Sequence, residues 1–381
     1  MPGALRAPVE TPRDFCYPPA FPMKRLAHRD LRADPAGWAR ELGVSPEAVA
    51  LYLASDVIDL HLDSFIWNRV FRYDLRRRHG LGFFGGRFYS QVDFPRAREA
   101  ALTGATWVIT TNPFRRAERR PNVFLENLRR FQAIFETVPE DFQVVRTVAE
   151  YRRAKAAGRH AAFIGVQGGN ALDRSLDDLD LIPDDLVLRV TLVHLSSSRI
   201  GVTSAPTGRR QGEGLTAFGK DYVRRLNEKK IFVDLAHINR EGFFDAVAVH
   251  DRSQPLLVTH TGIAAIHRHW RNLDDTQLRA IADTGGTIGV MYHSSFLGEP
   301  WAGGRAEQVV RHLAHIIDVV GEDHASLGSD WDGAINPPRD LLTPIALPRL
   351  VDLMMRRQWS AERIGKILGG NFLRVVEALR G

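Results

Sequence analysis

The chain has 381 residues, 44% of them hydrophobic and 25% charged, with a formal net charge of +6. That is enough for one large domain or two ordinary ones, and too apolar for a disordered chain. One cysteine, Cys16, rules out an intramolecular disulfide and a thiolate metal cage. No run of about 18 apolar residues occurs, so no membrane-spanning helix is expected. The proline-rich start lacks the apolar core of a secretory signal, and a reducing, cytoplasmic setting is expected. Arginine dominates the basic residues, but beyond the short runs at 76–78 and 119–120 no long basic stretch exists. A nucleic-acid partner is therefore not expected, and the arginine surplus reads as scattered surface charge.

Residues 1–35 read as an irregular arm, followed by a short helical pair in which Ser45-Pro46-Glu47 supplies a cap and a first-turn proline. The arm and the pair, 1–55, precede the main unit, 56–381. From there short apolar runs alternate with amphipathic stretches. The runs lie at 57–60, 106–109, 161–166, 187–193, 231–235, 256–258, 287–291 and 326–327, and read as buried parallel strands. Helices are expected at 122–136, 147–156, 218–228, 240–249, 274–283, 305–319 and 344–356, with an extension at 360–368 and 371–379. Eight βα units predict a single closed (β/α)₈ barrel of the TIM type. A doubly wound open sheet would show a glycine-rich loop after its first strand, where this chain has His61-Leu-Asp63. Segment 199–214 predicts a long mobile loop near the top face. The aromatic segment 82–89 could serve an interface, with a homodimer compatible, or line the pocket.

The residues that follow the apolar runs carry the chemistry. The first run leads into His61 and Asp63, the third into Gln167, the next three into His194, His237 and His260, and the last into Asp330 and Asp332. Strand C-termini of a barrel converge on one face, so these side chains face one volume. Residues i and i+2 of a strand share a side, so His61 and Asp63 can grip one cation together. Imidazole and carboxylate ligands suit zinc, which lowers the pKa of bound water toward neutrality. Asp330 is the natural carrier for that proton. Asp332 reads as ordering the turn before Gly333, His293 as a supporting or loop residue, and His267, His269 and His324 as surface or helix-start residues.

The set of motifs resembles the membrane (renal) dipeptidase family, metallopeptidases among the amidohydrolase-like barrels. The resemblance runs from about Val57 to Leu379. It rests on Val57-Ile-Asp-Leu-His-Leu-Asp63, Gly165-Val-Gln-Gly-Gly169, Gly214-Leu-Thr-Ala-Phe-Gly219, Val233-Asp-Leu-Ala-His237, Thr259-His260, Leu327-Gly-Ser-Asp-Trp-Asp-Gly333 and Gly370-Asn-Phe-Leu-Arg-Val375. It implies a two-zinc site that hydrolyses dipeptides and tolerates a D-residue on the C-terminal side. By that resemblance His61 and Asp63 would hold one metal, and His237 and His260 the other. His194 would polarise the scissile carbonyl, Arg271 would hold the substrate carboxylate, and Asp330 would act as acid and base. The family's vertebrate members carry membrane-anchor signals that are not seen here, so no membrane attachment is expected.

One position departs from the pattern. The family has a bridging glutamate where this chain has Gln167. Two divalent ions about 3.5 Å apart repel by roughly 19 kcal/mol at an effective dielectric of about 20. Without the bridging charge, one tightly bound zinc and a weak or absent second ion are expected. The ion could sit at His61 and Asp63 or be shared with the two later histidines. The function expected is zinc-dependent hydrolysis of dipeptides. Two alternatives stand beside it: an N-acyl amino acid amidase or other small amide or ester hydrolase on the same site, and a catalytically silent binding protein on an inherited barrel.

Overall fold

The computed structural model describes residues 25–112, 114–208, 214–298 and 304–381. Cys16, most of the proline-rich arm and residues 209–213 of the expected loop lie outside the described residues. Eight parallel strands build a ring: β1 (Ile58–Leu62), β2 (Gly104–Thr110), β4 (His160–Gln167), β5 (Val187–Thr191), β6 (Phe232–Asp234), β7 (Leu257–Thr261), β8 (Thr287–Val290) and β9 (Ala325–Leu327), neighbouring one another in that order. This is the barrel that the eight apolar runs predict. A further strand, β3 (Phe142–Val144), pairs with the start of β4. It was not expected, because Gln143 interrupts its apolar residues and leaves no continuous run.

Closure between β9 and β1 is made just beyond the strand ends. Asp330 N donates to His61 O at 3.2 Å, and Asp63 N donates to Trp331 O at 3.0 Å. The two segments that carry the acidic residues are thereby joined through their backbones. Inside the ring the backbones run close: a Cβ at Gly289 or Gly328 would collide with the carbonyl of Thr259. Glycine at these two positions lets β8 and β9 pack against β7 directly behind His260.

Helices cover the outside, and several begin at a residue suited to cap them. Thr147, Thr216 and Asn239 accept from the backbone of Glu150, Gly219 and Gly242. Asp274 forms a full capping box with Gln277. The expected N-terminal pair is present as Pro35–Leu42 and Pro46–Ala54. Trp38 meets Tyr52 edge-on at 5.6 Å. Ser45 Oγ donates to Asp352 Oδ1 at 2.8 Å, which ties the pair to the helix Pro348–Arg356. Two short helices, Phe65–Phe71 and Phe94–Glu99, were not expected. The first has no capping bond, because the Ser64 hydroxyl donates to Asp332 instead. The second carries a readable signal, Asp93 before Phe94-Pro95, and Asp93 Oδ1 accepts from Arg96 N at 2.8 Å. At the chain's end the two expected helices run together, joined by a π-helical turn at Lys366–Gly370. No described helix is long and apolar enough to cross a membrane.

The barrel floor contains His160, fully buried at the start of β4. Trp107 Nε1 donates to His160 Nε2 at 3.0 Å, so Nδ1 carries the proton and donates to Leu102 O at 2.9 Å. The ring is thus held neutral, and burial pushes its pKa down from 6.5 to about 3. Between those two values the unfolded chain binds a proton that the folded chain refuses. Stability is therefore complete above pH 6.5 and falls as the pH drops toward 3, by up to about 1.4 kcal/mol per pH unit from this residue. Urea unfolding of metal-free protein from pH 7 to pH 5 measures the slope. His160→Gln should lower it by close to one proton, and an unchanged slope would contradict a buried neutral ring.

Candidate metal centre

At the C-terminal face of the ring the predicted side chains come together. His61 lies in β1, Gln167 ends β4 and His260 lies in β7. His194, His237 and Asp330 each follow a strand by three residues. The ligand atoms of His61, His260 and Asp330 all lie within 4.8 Å of one another, and all three residues are buried. His61 Nε2 is 3.3 Å from Asp63 Oδ2 and 3.6 Å from Asp330 Oδ1. His237 Nε2 and His260 Nε2 approach to 2.8 Å. His237 and Asp330 both adopt left-handed backbone, with φ of 67° and 62°. Such conformations cost about 1–3 kcal/mol and cluster at functional sites.

Gln167 sits between the two halves of the cluster. With its amide nitrogen toward Asp63, it donates to Oδ2 at 2.9 Å, and its oxygen accepts from His194 Nε2 at 3.1 Å and from His237 Nε2 at 3.2 Å. This orientation satisfies both ends of the amide, whereas the reverse would set its oxygen against the Asp63 carboxylate. Arg271 is buried beside them, and its Nη2 donates to His260 O at 2.6 Å while Nε has no hydrogen-bond partner among the described residues.

Burial decides the charge state of the cluster. It holds His61, His237 and His260 below the ordinary imidazole value and brings His194 down to about 4. All four rings are therefore neutral near pH 7, as metal ligands and neutral hydrogen-bond donors must be. Burial would also raise Asp63, but His61 and a 2.5 Å hydrogen bond from Thr110 keep its carboxyl below the usual range. Asp330 is pushed the other way, well above the usual range, by burial and by the charge of Asp63.

Sequence reasoning missed the layer underneath. Arg189 in β5 is fully buried in the barrel. Its Nη1 donates to Asp234 Oδ2 at 2.9 Å and to Thr191 Oγ1 at 2.7 Å, and its Nη2 reaches His61 Nδ1 at 2.6 Å. Asp234 Oδ2 also accepts from Thr191 and Thr259. A charged residue inside each of the apolar runs 187–193 and 231–235 was the available signal, and the reading of arginine as bland surface charge hid it. Arg96 corrects that reading as well, since it is buried and donates to Ser90 O at 2.7 Å. Asp332 is structural: its carboxylate accepts from Ser64 Oγ at 2.5 Å, Gln91 N at 2.8 Å and Val92 N at 3.2 Å. His269 and His293 stack on Phe296 outside the cluster. Within 82–89, Phe83 and Phe84 are exposed.

Known proteins share this architecture. Over 180 residues the chain is 38% identical to an uncharacterized protein in the pqqA 5′ region of Klebsiella pneumoniae, a match covering 46% of this chain and 64% of that protein, just under two thirds of its length. The crystal structure of dipeptidase AC, a metallo peptidase, superposes with a TM-score of 0.75 at 29% identity, covering 85% of this chain and 98% of that one. A metallo peptidase from Rhodobacter sphaeroides, liganded with a phosphinate mimic of the dipeptide L-Ala-D-Ala, superposes with a TM-score of 0.75 at 28% identity, covering 85% and 99%. The membrane dipeptidase family (peptidase family M19) matches residues 46–380, and the chain belongs to that family.

Proposed function

We propose, with membership of the membrane dipeptidase family as the premise, that this protein is a zinc-dependent hydrolase cleaving the amide bond of dipeptides, L-Xaa followed by an L- or D-residue with a free carboxylate. The observation that carries the reading is the buried convergence of His61, His260 and Asp330 within 4.8 Å, with His237 2.8 Å from His260. Neutral imidazole nitrogens facing carboxylates are a donor set that fits zinc. A bound divalent ion supplies Lewis acidity and lowers the pKa of water. The solved relative that binds a mimic of L-Ala-D-Ala supports a dipeptide as substrate.

The chain's own residues divide the remaining work. Arg271 lies within the site with donor capacity to spare, and a planar guanidinium suits a substrate carboxylate. His194, neutral because burial lowers its pKa to about 4, keeps a proton on Nε2 and can donate it to the scissile carbonyl oxygen as negative charge develops there. Asp330 takes the proton of the attacking water and passes it to the departing amine. Gln167 in place of a bridging acid leaves the centre one negative charge short, so one ion is held tightly and the second weakly or not at all.

A panel of L-L and L-D dipeptides and N-acyl amino acids, assayed with added zinc, tests the reading. Turnover of dipeptides is expected, and no turnover of any substrate would leave the silent binding protein as the better account. Turnover of the N-acyl amino acids alone would assign the amidase. Arg271→Met should raise KM for substrates with a free carboxylate about 100-fold, the worth of a lost charge-assisted hydrogen-bond pair. The same change should leave carboxyl-amidated dipeptides within threefold, and equal losses on both would remove Arg271 from carboxylate binding.

A further inference from the structure

The two halves of the centre are not equivalent in the direction of their hydrogen bonds. A guanidinium has only donors. Arg189 Nη2 therefore donates to His61 Nδ1 at 2.6 Å, and the lone pair of His61 sits on Nδ1. The ring proton is then on Nε2, the atom that faces Asp63 at 3.3 Å. A nitrogen that bears a proton cannot ligate a metal, and at His61 the guanidinium on Nδ1 bars the proton from moving there. His237 also carries its proton on Nε2, toward the Gln167 oxygen, but its Nδ1 has no hydrogen-bond partner among the described residues and can take that proton when Nε2 ligates.

His260 has the opposite arrangement. Thr259 Oγ1 donates to Asp234 Oδ2 at 2.7 Å, so its free lone pair accepts from His260 Nδ1 at 2.9 Å. That leaves Nε2 of His260 unprotonated and pointed at His237 Nε2, 2.8 Å away. A partner that accepts from the far ring nitrogen is the usual support of a ligating histidine. Gln167 turns its amide nitrogen to Asp63 at 2.9 Å, and that nitrogen lies 3.1 Å from His61 Nε2 with both N–H groups directed at the Asp63 carboxylate, while its oxygen, the only atom of the amide able to ligate, faces His237.

Arg189 is also built in. Its side chain lies against Gly165, where a Cβ would come within 3.0 Å of Nε and 3.2 Å of Cζ. Asp234 on the neighbouring strand β6 holds its other edge at 2.9 Å. It is a permanent cation fixed behind His61, on the side of the centre that Gln167 has already deprived of a charge.

From these contacts we propose that Arg189 takes the place of the ion on the His61 and Asp63 side, so that the single zinc is held by His237 and His260 with the Gln167 oxygen beside it. Arg189 and Gln167 together set the metal stoichiometry. The inference rests on the metal-dependent reading above, takes His61 out of the convergent donor group as a neighbour that does not ligate, and adds which half binds and why.

Zinc per chain, measured by elemental analysis after dialysis against free zinc, tests it on the full-length protein without reference to activity. The wild type and His61→Asn should each hold one zinc, and His260→Asn should hold none. Gln167→Glu alone should still hold one, while Gln167→Glu combined with Arg189→Met should take up a second. Loss of zinc in His61→Asn, or a second zinc in Gln167→Glu alone, would overturn the role of Arg189 and leave the hydrolase reading standing. A wild type that binds no zinc would overturn both. If Arg189→Met unfolds, as thermal melting would reveal, the comparison of His61→Asn, His260→Asn and Gln167→Glu decides the matter without it.

Discussion

Asp330→Asn should keep its zinc at saturating metal and lose about 100- to 10,000-fold in kcat, the usual worth of a positioned proton carrier. The substitution preserves volume and one carbonyl oxygen, so packing within the site changes little. What it removes is a group that can hold and release a proton. The Asp330 carboxyl is suited to that task by its surroundings. It is buried, lies 3.6 Å from His61 Nε2, and is pushed well above the ordinary carboxylate range by burial and by Asp63. Its left-handed backbone is fixed by the turn in which Gly333 N donates to Asp330 O at 3.0 Å. KM should change little, because carboxylate binding is assigned to Arg271. Steady-state kinetics beside the metal content of the same sample make the measurement. A variant within tenfold of wild type would show that the proton travels by another route.

The second large effect is on stability. Asp234→Ala should destabilise the metal-free protein by about 3–5 kcal/mol, the cost of leaving one partner of a buried ion pair uncompensated. Asp234 is fully buried and accepts five hydrogen bonds: Arg189 at 2.9 Å, Thr191 at 2.6 Å and Thr259 at 2.7 Å on Oδ2, and the backbone nitrogens of Ala236 and Thr259 at 3.1 Å each on Oδ1. Alanine abandons all five and strands the guanidinium of Arg189 in the barrel. Removing both charges, as Arg189→Met with Asp234→Ala, should recover much of the loss, since an apolar pair carries no such penalty. Urea unfolding of the three variants in chelator compares them. A loss below about 1 kcal/mol in the single variant would mean that water reaches Arg189 in the folded state.

Much of the site could be read before any coordinates. His61, His194, His237, His260 and Asp330 each stand at the polar end of an apolar run, and a parallel barrel gathers strand ends by construction. Asp63 follows from the two-residue period of a strand. Arg271 could be placed only by family resemblance, because it lies ten residues beyond β7 in a loop that no local pattern directs inward. The short helices at 65–71 and 94–99 and the strand at 142–144 escaped for local reasons: a diverted cap, an overlooked Asp-Phe-Pro start, and an apolar run broken by Gln143.

The sequence by itself determined the barrel, the face on which its chemistry sits and the ligand types available there. Those follow from periodicity and from having a single cysteine, which leaves histidine and carboxylate as the metal donors. Tertiary structure alone decided which nitrogen of each ring carries the proton. Arg189 and His61 are 128 positions apart, and Gln167 lies 70 from His237. Hydrogen-bond direction depends on which donors face which lone pairs across the ring of strands, and contacts at that separation leave no trace in local composition. The glutamine at position 167 was visible from the start. Only the packing of Arg189 behind His61 makes it half of a pair of changes to the same side of the centre.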